Sequence, residues 1–294
     1  MVPWLVLALL WPLLYSFVNI IDKFLIEKRV KNYYSYGVLT GVLFLLSVGI
    51  IWSLVDLPTI SKSVLFFGTL AGVTYGIIYL MYFRFLAYAE VSRIIGMGYL
   101  FVAFVAVYSR IFLGEELSVI KYGAILVAIF GTMLLGVHKH GQKLKFTHFF
   151  WLMILYAAIL GIVDVSDKYV VEHVTFWEAY ILVTIPLGIV LLSPLASTKV
   201  RADLRQAARS LPGIILAQVF TIAGSLTFLA AAAQAPIAIV SALGTLQPVF
   251  VFLLMLLSSV FTPRMLKEIM TPRVLGFKML GIACVVAAAV VLSL

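Results

Sequence analysis

The chain has 294 residues, 64% of them hydrophobic and only 11% charged, with a mean hydropathy of +1.16. A soluble domain carries about 25% charged residues, so this composition excludes a water-soluble fold. The net charge of +9 does not make it a nucleic-acid binder either, because its Lys and Arg lie between the apolar runs, where a membrane protein uses them for orientation.

Apolar runs of 18 or more residues recur from end to end and read as membrane-spanning helices. They rise and fall in blocks rather than alternating residue by residue, unlike the strands of an outer-membrane barrel. Ten helices are expected: Pro3–Ile26, Tyr34–Leu54, Val64–Tyr88, Ser92–Leu113, Val119–Val137, Phe146–Val170, Thr175–Leu192, Leu211–Ala232, Pro236–Val260 and Val274–Leu294. The first run is longer than a signal peptide's apolar region and has no basic residue before it, so it is expected to be a retained helix. Breaks carry charge or turn residues, as at Glu27-Lys28-Arg29-Val30-Lys31, Asp56-Leu57-Pro58, His138-Lys139-His140-Gly141 and Ser193 to Ser210; the weakest is Ala233-Gln234-Ala235-Pro236, punctuated only by Pro236. The lone cysteine, Cys284, permits no disulfide framework or thiolate metal site.

With ten spans, both termini lie on one side. The loops reached after odd-numbered helices hold fourteen Lys and Arg, including Lys28, Arg29, Lys31 and the clusters around Lys139–Lys145, Lys199–Arg209 and Arg264–Arg273, whereas the terminus side holds only Lys62 and Lys121. The positive-inside rule then sets the odd-numbered loops in the cytoplasm and both termini outside, in a multi-pass protein of the plasma or inner membrane.

An internal repeat runs beneath this pattern. Asp22-Lys23-Phe24-Leu25-Ile26-Glu27 closes the first helix and Asp167-Lys168-Tyr169-Val170-Val171-Glu172 the sixth, an offset of 145 residues that also pairs Asn19 with Asp164, Gly68 with Gly213 and Gly72 with Ala217. The halves, 1–140 and 146–294, therefore read as two five-helix copies. Five is odd, so the second copy enters the membrane from the opposite side. The result is an all-α, inverted-repeat architecture, the plan of many secondary transporters, whose binding site sits near the midplane between the halves.

Polar residues within spans cost about 2.5–3.5 kcal/mol for a central Asp on insertion scales, and so mark sites or buried pairs. Asn19 and Asp22 share a helix face with Tyr15; Asp164 and Asp167 repeat the arrangement. Asp164, two turns inside its helix, is expected to line the solute path. Lys23 pairs with Glu27 and Lys168 with Glu172 at the favourable spacing of four; these read either as ordinary surface pairs or as gates at opposite mouths. Gly68, Gly72 and Gly76 permit close helix packing. Tyr75, Tyr79 and Tyr82 on the third helix, the Gln218-Thr221-Ser225 stripe on the eighth, and Gln247 on the ninth complete the expected solute-binding set.

Ten helices in under 300 residues, built as two repeats, with Leu113-Gly114-Glu115 closing the fourth helix and Leu246-Gln247-Pro248 within the ninth, resemble the EamA-type ten-helix members of the drug/metabolite transporter superfamily over the whole chain. The second half lacks the Gly-Glu ending and has Phe261-Thr262-Pro263-Arg264 instead. The resemblance implies secondary transport by alternating access, as exporter or exchanger of a small organic solute coupled to a proton or counter-solute, with no cofactor, no metal and no catalytic residue, in a monomer or homodimer. It also implies cytoplasmic termini, opposite to the charge count. No enzyme motif appears. Two other classes remain open at this point: a membrane-embedded lipid-modifying enzyme using Asp164 and Asp167, and a non-catalytic scaffold. In a Cys284→Ala background, Gly141→Cys should resist a membrane-impermeant thiol reagent in intact cells while Thr59→Cys reacts; labelling of Gly141→Cys alone reverses the orientation.

Overall fold

The computed structural model describes residues 3–55, 60–88, 91–135, 146–261 and 272–294. The expected breaks at Asp56-Leu57-Pro58 and His138 to Gly141, the residues Thr262-Pro263-Arg264, and position Thr59 lie outside the described residues. Within them the chain is helical with no strand. The helices are α1 (Trp4–Lys28), α2 (Tyr33–Trp52), α3 (Lys62–Tyr88), α4 (Val91–Gly98), α5 (Phe101–Tyr108), α6 (Val119–Leu135), α7 (Phe146–Val171), α8 (Phe176–Leu192), α9 (Thr198–Ala207), α10 (Leu211–Ala232), α11 (Ile237–Leu243), α12 (Gln247–Phe261) and α13 (Pro272–Ser293). Taking α4 with α5, α9 with α10 and α11 with α12 as continuous rods, nine helices among the described residues are long and apolar enough to cross a membrane, and α6 is a shorter apolar helix of 17 residues. This is a multi-pass membrane protein.

Three features depart from the expected elements. The fourth helix is not continuous: it is interrupted at Tyr99-Leu100, where the N–H groups of Leu100, Val102 and Ala103 bond three residues back, to Met97, Tyr99 and Leu100, rather than four. Gly96 and Gly98 just before it lower the helix propensity there. The ninth is interrupted in the same way by a 3₁₀ turn at Gly244–Leu246. There the cause is Pro248, which has no N–H to donate and whose ring would crowd the carbonyl four residues earlier. The stretch from Ser193 to Ser210, expected as a loop, holds the polar helix α9, whose only buried members are Val200 and Ala207. Seven residues apart, they form one narrow stripe that docks on α2, where the Ser35 hydroxyl donates to the Val200 carbonyl at 3.3 Å. Lys199, Arg201 and Arg205 stay exposed.

Lipid is as apolar as leucine, so spans associate through close packing at small residues rather than by a hydrophobic drive. Helix α3 lies on α8 through its glycines. A Cβ on Gly68 would sit 3.1 Å from Leu182 Cβ, on Gly72 2.2 Å from the Val183 carbonyl and 2.4 Å from Pro186 Cγ, and on Gly76 2.6 Å from Val190 Cβ. Gly41 and Gly188 bring α2 onto α8, and Gly131 and Gly281 bring α6 onto α13. The glycine with the matching number in the second half, Gly213, meets a different partner, Leu25 of α1. Around these crossings α1 runs beside α10 and α3 beside α7, and the volume they surround is the site described next.

Gly72→Ala forces its methyl into backbone and should lower stability by about 1–3 kcal/mol, the usual cost of overpacking. Gly49→Ala, with nothing among the described residues within 4 Å of the added carbon, should leave the melting temperature in detergent unchanged or raised.

Candidate functional site

One cavity of about 170 Å³ is lined by residues of nine helices, from α1 to α12. Its polar walls come from two helices carrying carboxylates. On α1, Asn19 and Asp22 are three residues apart and both buried. Tyr82 donates to Asn19 Oδ1 at 2.7 Å and Tyr36 to Asp22 Oδ1 at 2.5 Å. On α7, Asp164 and Asp167 are likewise buried, and Ser241 of α11 donates to Asp164 Oδ2 at 2.5 Å. Each carboxylate or amide oxygen named here is thus held by a hydroxyl from a different helix, the arrangement that makes a polar group tolerable away from water.

The remaining wall is aromatic. Tyr15 sits 2.9 Å from Ser225 Oγ and 3.3 Å from the Tyr75 hydroxyl. Tyr75 and Tyr79 pack with ring centroids 4.9 Å apart, and Trp11 meets Phe228 edge-on at 5.3 Å. The two helix interruptions close the remaining side. Tyr99, at the first, donates to Gln247 Oε1, just after the second, at 2.5 Å. The indole of Trp11 rests on Gly244, where any Cβ would come within 2.3 Å of the ring, so glycine is needed for the tryptophan to reach the cavity.

Of the residues singled out in the sequence, Tyr15, Asn19, Asp22, Tyr75, Tyr79, Tyr82, Asp164, Asp167, Ser225 and Gln247 line this cavity; Gln218 and Thr221 do not. Thr221 is buried and spends its hydroxyl on the Ala217 carbonyl of its own helix at 2.9 Å. Lys23 and Lys168 are also absent from the lining. Lys23 Nζ donates to the Leu86 carbonyl at 2.8 Å, and Lys168 Nζ to those of Ala232 at 2.8 Å and Ala235 at 3.1 Å. Both therefore cap helix C-termini, those of α3 and α10, while reaching Glu27 at 3.5 Å and Glu172 at 3.2 Å. The glutamates are about half exposed, so the ion pairs add little; charged hydrogen bonds to carbonyls that would otherwise be orphaned are the larger effect.

The Gly114-Glu115 pair has an equally local role. Gly114 is the residue with left-handed φ (+69°) among the described residues, ending the π-helical turn Ser109–Leu113 as a helix C-cap glycine does. It releases Glu115 to accept from the N–H groups of Ile237 at 2.8 Å and Ala238 at 3.4 Å, which anchors the N-terminus of α11, the half-helix that carries Ser241. Reading the sequence missed Trp11, Phe44, Tyr99, Tyr156 and Tyr180 on the cavity wall; the Gly96-Met97-Gly98 punctuation was the available signal for Tyr99.

The fold has a counterpart among solved structures. A crystal structure described only as that of a protein is 16% identical and superposes with a TM-score of 0.58, over 99% of this chain and 96% of that one. At this identity the likeness speaks to the fold alone. No protein-family model matches the chain, and no curated protein matches it.

Glu115→Ala should cost about 1 kcal/mol, the usual loss when a helix cap is removed, and lower the melting temperature. The exposed neighbour, changed as Glu116→Ala, should leave it unaltered.

Proposed function

We propose that the chain is a secondary transporter that moves a small organic solute by alternating access, built as two inverted five-helix halves of the EamA type, 1–140 and 146–294. The observation that carries this reading is the convergence of Asn19 and Asp22 from one half with Asp164 and Asp167 from the other on a single cavity. Support for the duplication comes from the two interruptions: Tyr99 and Gly244 are 145 residues apart, the same offset as Asp22 and Asp167. Interrupted spans at corresponding positions of two halves are the best pointer to a transporter's binding site. A lipid-modifying enzyme would hold its carboxylates at a membrane interface, and a scaffold has no use for buried carboxylates facing a cavity; both readings draw less support from this arrangement.

In this reading α6, the fifth span in chain order, completes the ten, α9 lies along the cytoplasmic face with its Lys and Arg, and the protein resides in the cell membrane. Asp164 carries the proton or neutralises the solute, while Asn19, its neutral counterpart, orients it. Lys23 and Lys168 set the helix ends that move as the two mouths open in turn.

The test is Asp164→Asn, which keeps the shape and can still accept from Ser241. Expression and melting temperature should stay near wild type, because relieving a buried charge costs little. A thermal-shift screen against amino acids, amines, nucleosides and sugars supplies the solute. Its flux into liposomes should then fall at least tenfold in the variant, equivalent to about 1.4 kcal/mol, and less in Asn19→Ala. Undiminished flux in Asp164→Asn makes that carboxylate structural.

A further inference from the structure

The cavity wall specifies the head group of its solute. Among the described residues it contains three carboxylates and no Lys, Arg or His. Two of the carboxylates are already engaged by hydroxyls, Asp22 by Tyr36 and Asp164 by Ser241. Asp167 is not: its Oδ1 is buried without a hydrogen-bond partner among the described residues, in a residue only 4% exposed. The α8 tyrosine on this wall, Tyr180, pairs with Ser47 instead, at 2.7 Å. A buried carboxylate oxygen left unsatisfied is costly, and what completes it is an N–H or O–H donor, best a charged one.

Three donors on the same wall also lack acceptors among the described residues: the Tyr79 hydroxyl, the indole Nε1 of Trp11 and Nδ2 of Asn19. Trp11 and Asn19 sit eight residues apart on α1, about 12 Å along a helix, with the hydroxyl of Tyr15 on the face between them. The site therefore asks for a donor cation at Asp167 and a neutral oxygen acceptor elsewhere on the same molecule. The faces of Trp11, Tyr75 and Tyr79 favour an aromatic body and stabilise a cation beside it.

We propose that the solute is a protonated primary or secondary amine on an aromatic body bearing an oxygen acceptor, with its N–H⁺ donated to Asp167 and its oxygen taken by Asn19 or Trp11. The inference rests on the reading of this cavity as a solute site. It excludes anions, for which the wall holds no counter-charge, and it disfavours quaternary ammonium ions, which carry charge but no N–H.

The test uses one ring with three heads on the purified full-length protein: tyramine, its N,N,N-trimethyl analogue and 4-hydroxyphenylacetate. Tyramine should raise the melting temperature in a saturable way, the trimethyl analogue should bind at least tenfold more weakly, and 4-hydroxyphenylacetate should give no shift. Phenethylamine, lacking the oxygen, should fall between the first two. Asp167→Asn should weaken tyramine at least tenfold, and Asp167→Glu should recover part of the loss. Equal binding of the trimethyl analogue, any comparable shift with 4-hydroxyphenylacetate, no response to tyramine, or tyramine binding undiminished in Asp167→Asn overturns the inference. Liposome flux separates it from the transport reading. Tyramine that binds but is not carried defeats transport and leaves the assignment standing, whereas flux of 4-hydroxyphenylacetate without any response to tyramine does the reverse.

Discussion

In the hydrocarbon core there is no water to satisfy a peptide group, so a helix that is interrupted there must find partners for the N–H and C=O groups it releases. Among the described residues two spans are interrupted, at Tyr99-Leu100 and at Gly244–Leu246, and much of the polar architecture is the consequence. Bonds to the third residue back absorb part of the deficit within each helix. Ser16 of α1 supplies another, its hydroxyl lying 2.6 Å from the Pro12 carbonyl, which it favours, and 3.2 Å from that of Gln247. At the outer ends, Lys168 takes the last carbonyls of α10 and Glu115 the first amides of α11, so that the turn between them is held at once from α7 and from the loop after Gly114. Charged side chains that look like gates in the sequence are thus helix caps first, and any gating in the proposed cycle has to work through the helices they cap.

The glycine crossings impose a second constraint, which is geometric. Helix α3 is pressed onto α8 along three glycines, with Gly72 against the ring of Pro186. In α10 the matching surface is shared differently: Gly213 faces Leu25, and Gly224 admits the ring of Tyr15, which comes within 2.6 Å of where a Cβ would stand. Matching positions of two proposed copies therefore sit in unlike contacts. The proposed alternating access would call for this kind of inequality, because two halves that rock against each other around a fixed site would exchange tight and loose packings.

Much of the architecture was legible in the apolar blocks. Leu211–Ala232 is observed at the expected bounds, and most other helices differ by one or two residues. What could not be read is instructive. Hydrophobic periodicity is blind to a switch from four-residue to three-residue bonding when every side chain nearby is apolar, so the Tyr99-Leu100 interruption left no trace beyond its glycines. Helix α9 is short and polar, and nothing in such a segment separates a surface helix from a loop until its two-residue stripe finds a surface. Gln218 fails for another reason. It lies seven residues from Ser225, within about 20° of it around the helix, but about 10.5 Å away along the axis. Face is visible in a sequence; depth is not.

Under the duplication, the pattern of agreement and divergence between the halves has a physical logic. The charged residues toward the helix ends are the same at the 145-residue offset: Asp22 and Asp167, which reach the cavity, and Lys23 and Lys168, Glu27 and Glu172, which do not. Both copies need the same helix ends, so both retain the same chemistry. Residues at the centre differ: Trp11 against Tyr156, Tyr15 against Leu160, Asn19 against Asp164, Tyr79 against Gly224, Tyr99 against Gly244. All but the last two glycines line the cavity, and those glycines make room for Tyr15 and Trp11. A site with true two-fold symmetry would accept an asymmetric solute in two opposite orientations, each with half of its contacts mismatched. A leucine opposite one tyrosine, an asparagine opposite one aspartate and glycines opposite two tyrosines remove that degeneracy while leaving the helix ends free to move alike. In the proposed binding mode a carboxylate of α7 would face one end of the solute and the amide of α1 the other, and the direction of the bound molecule would be set by the difference between the two copies.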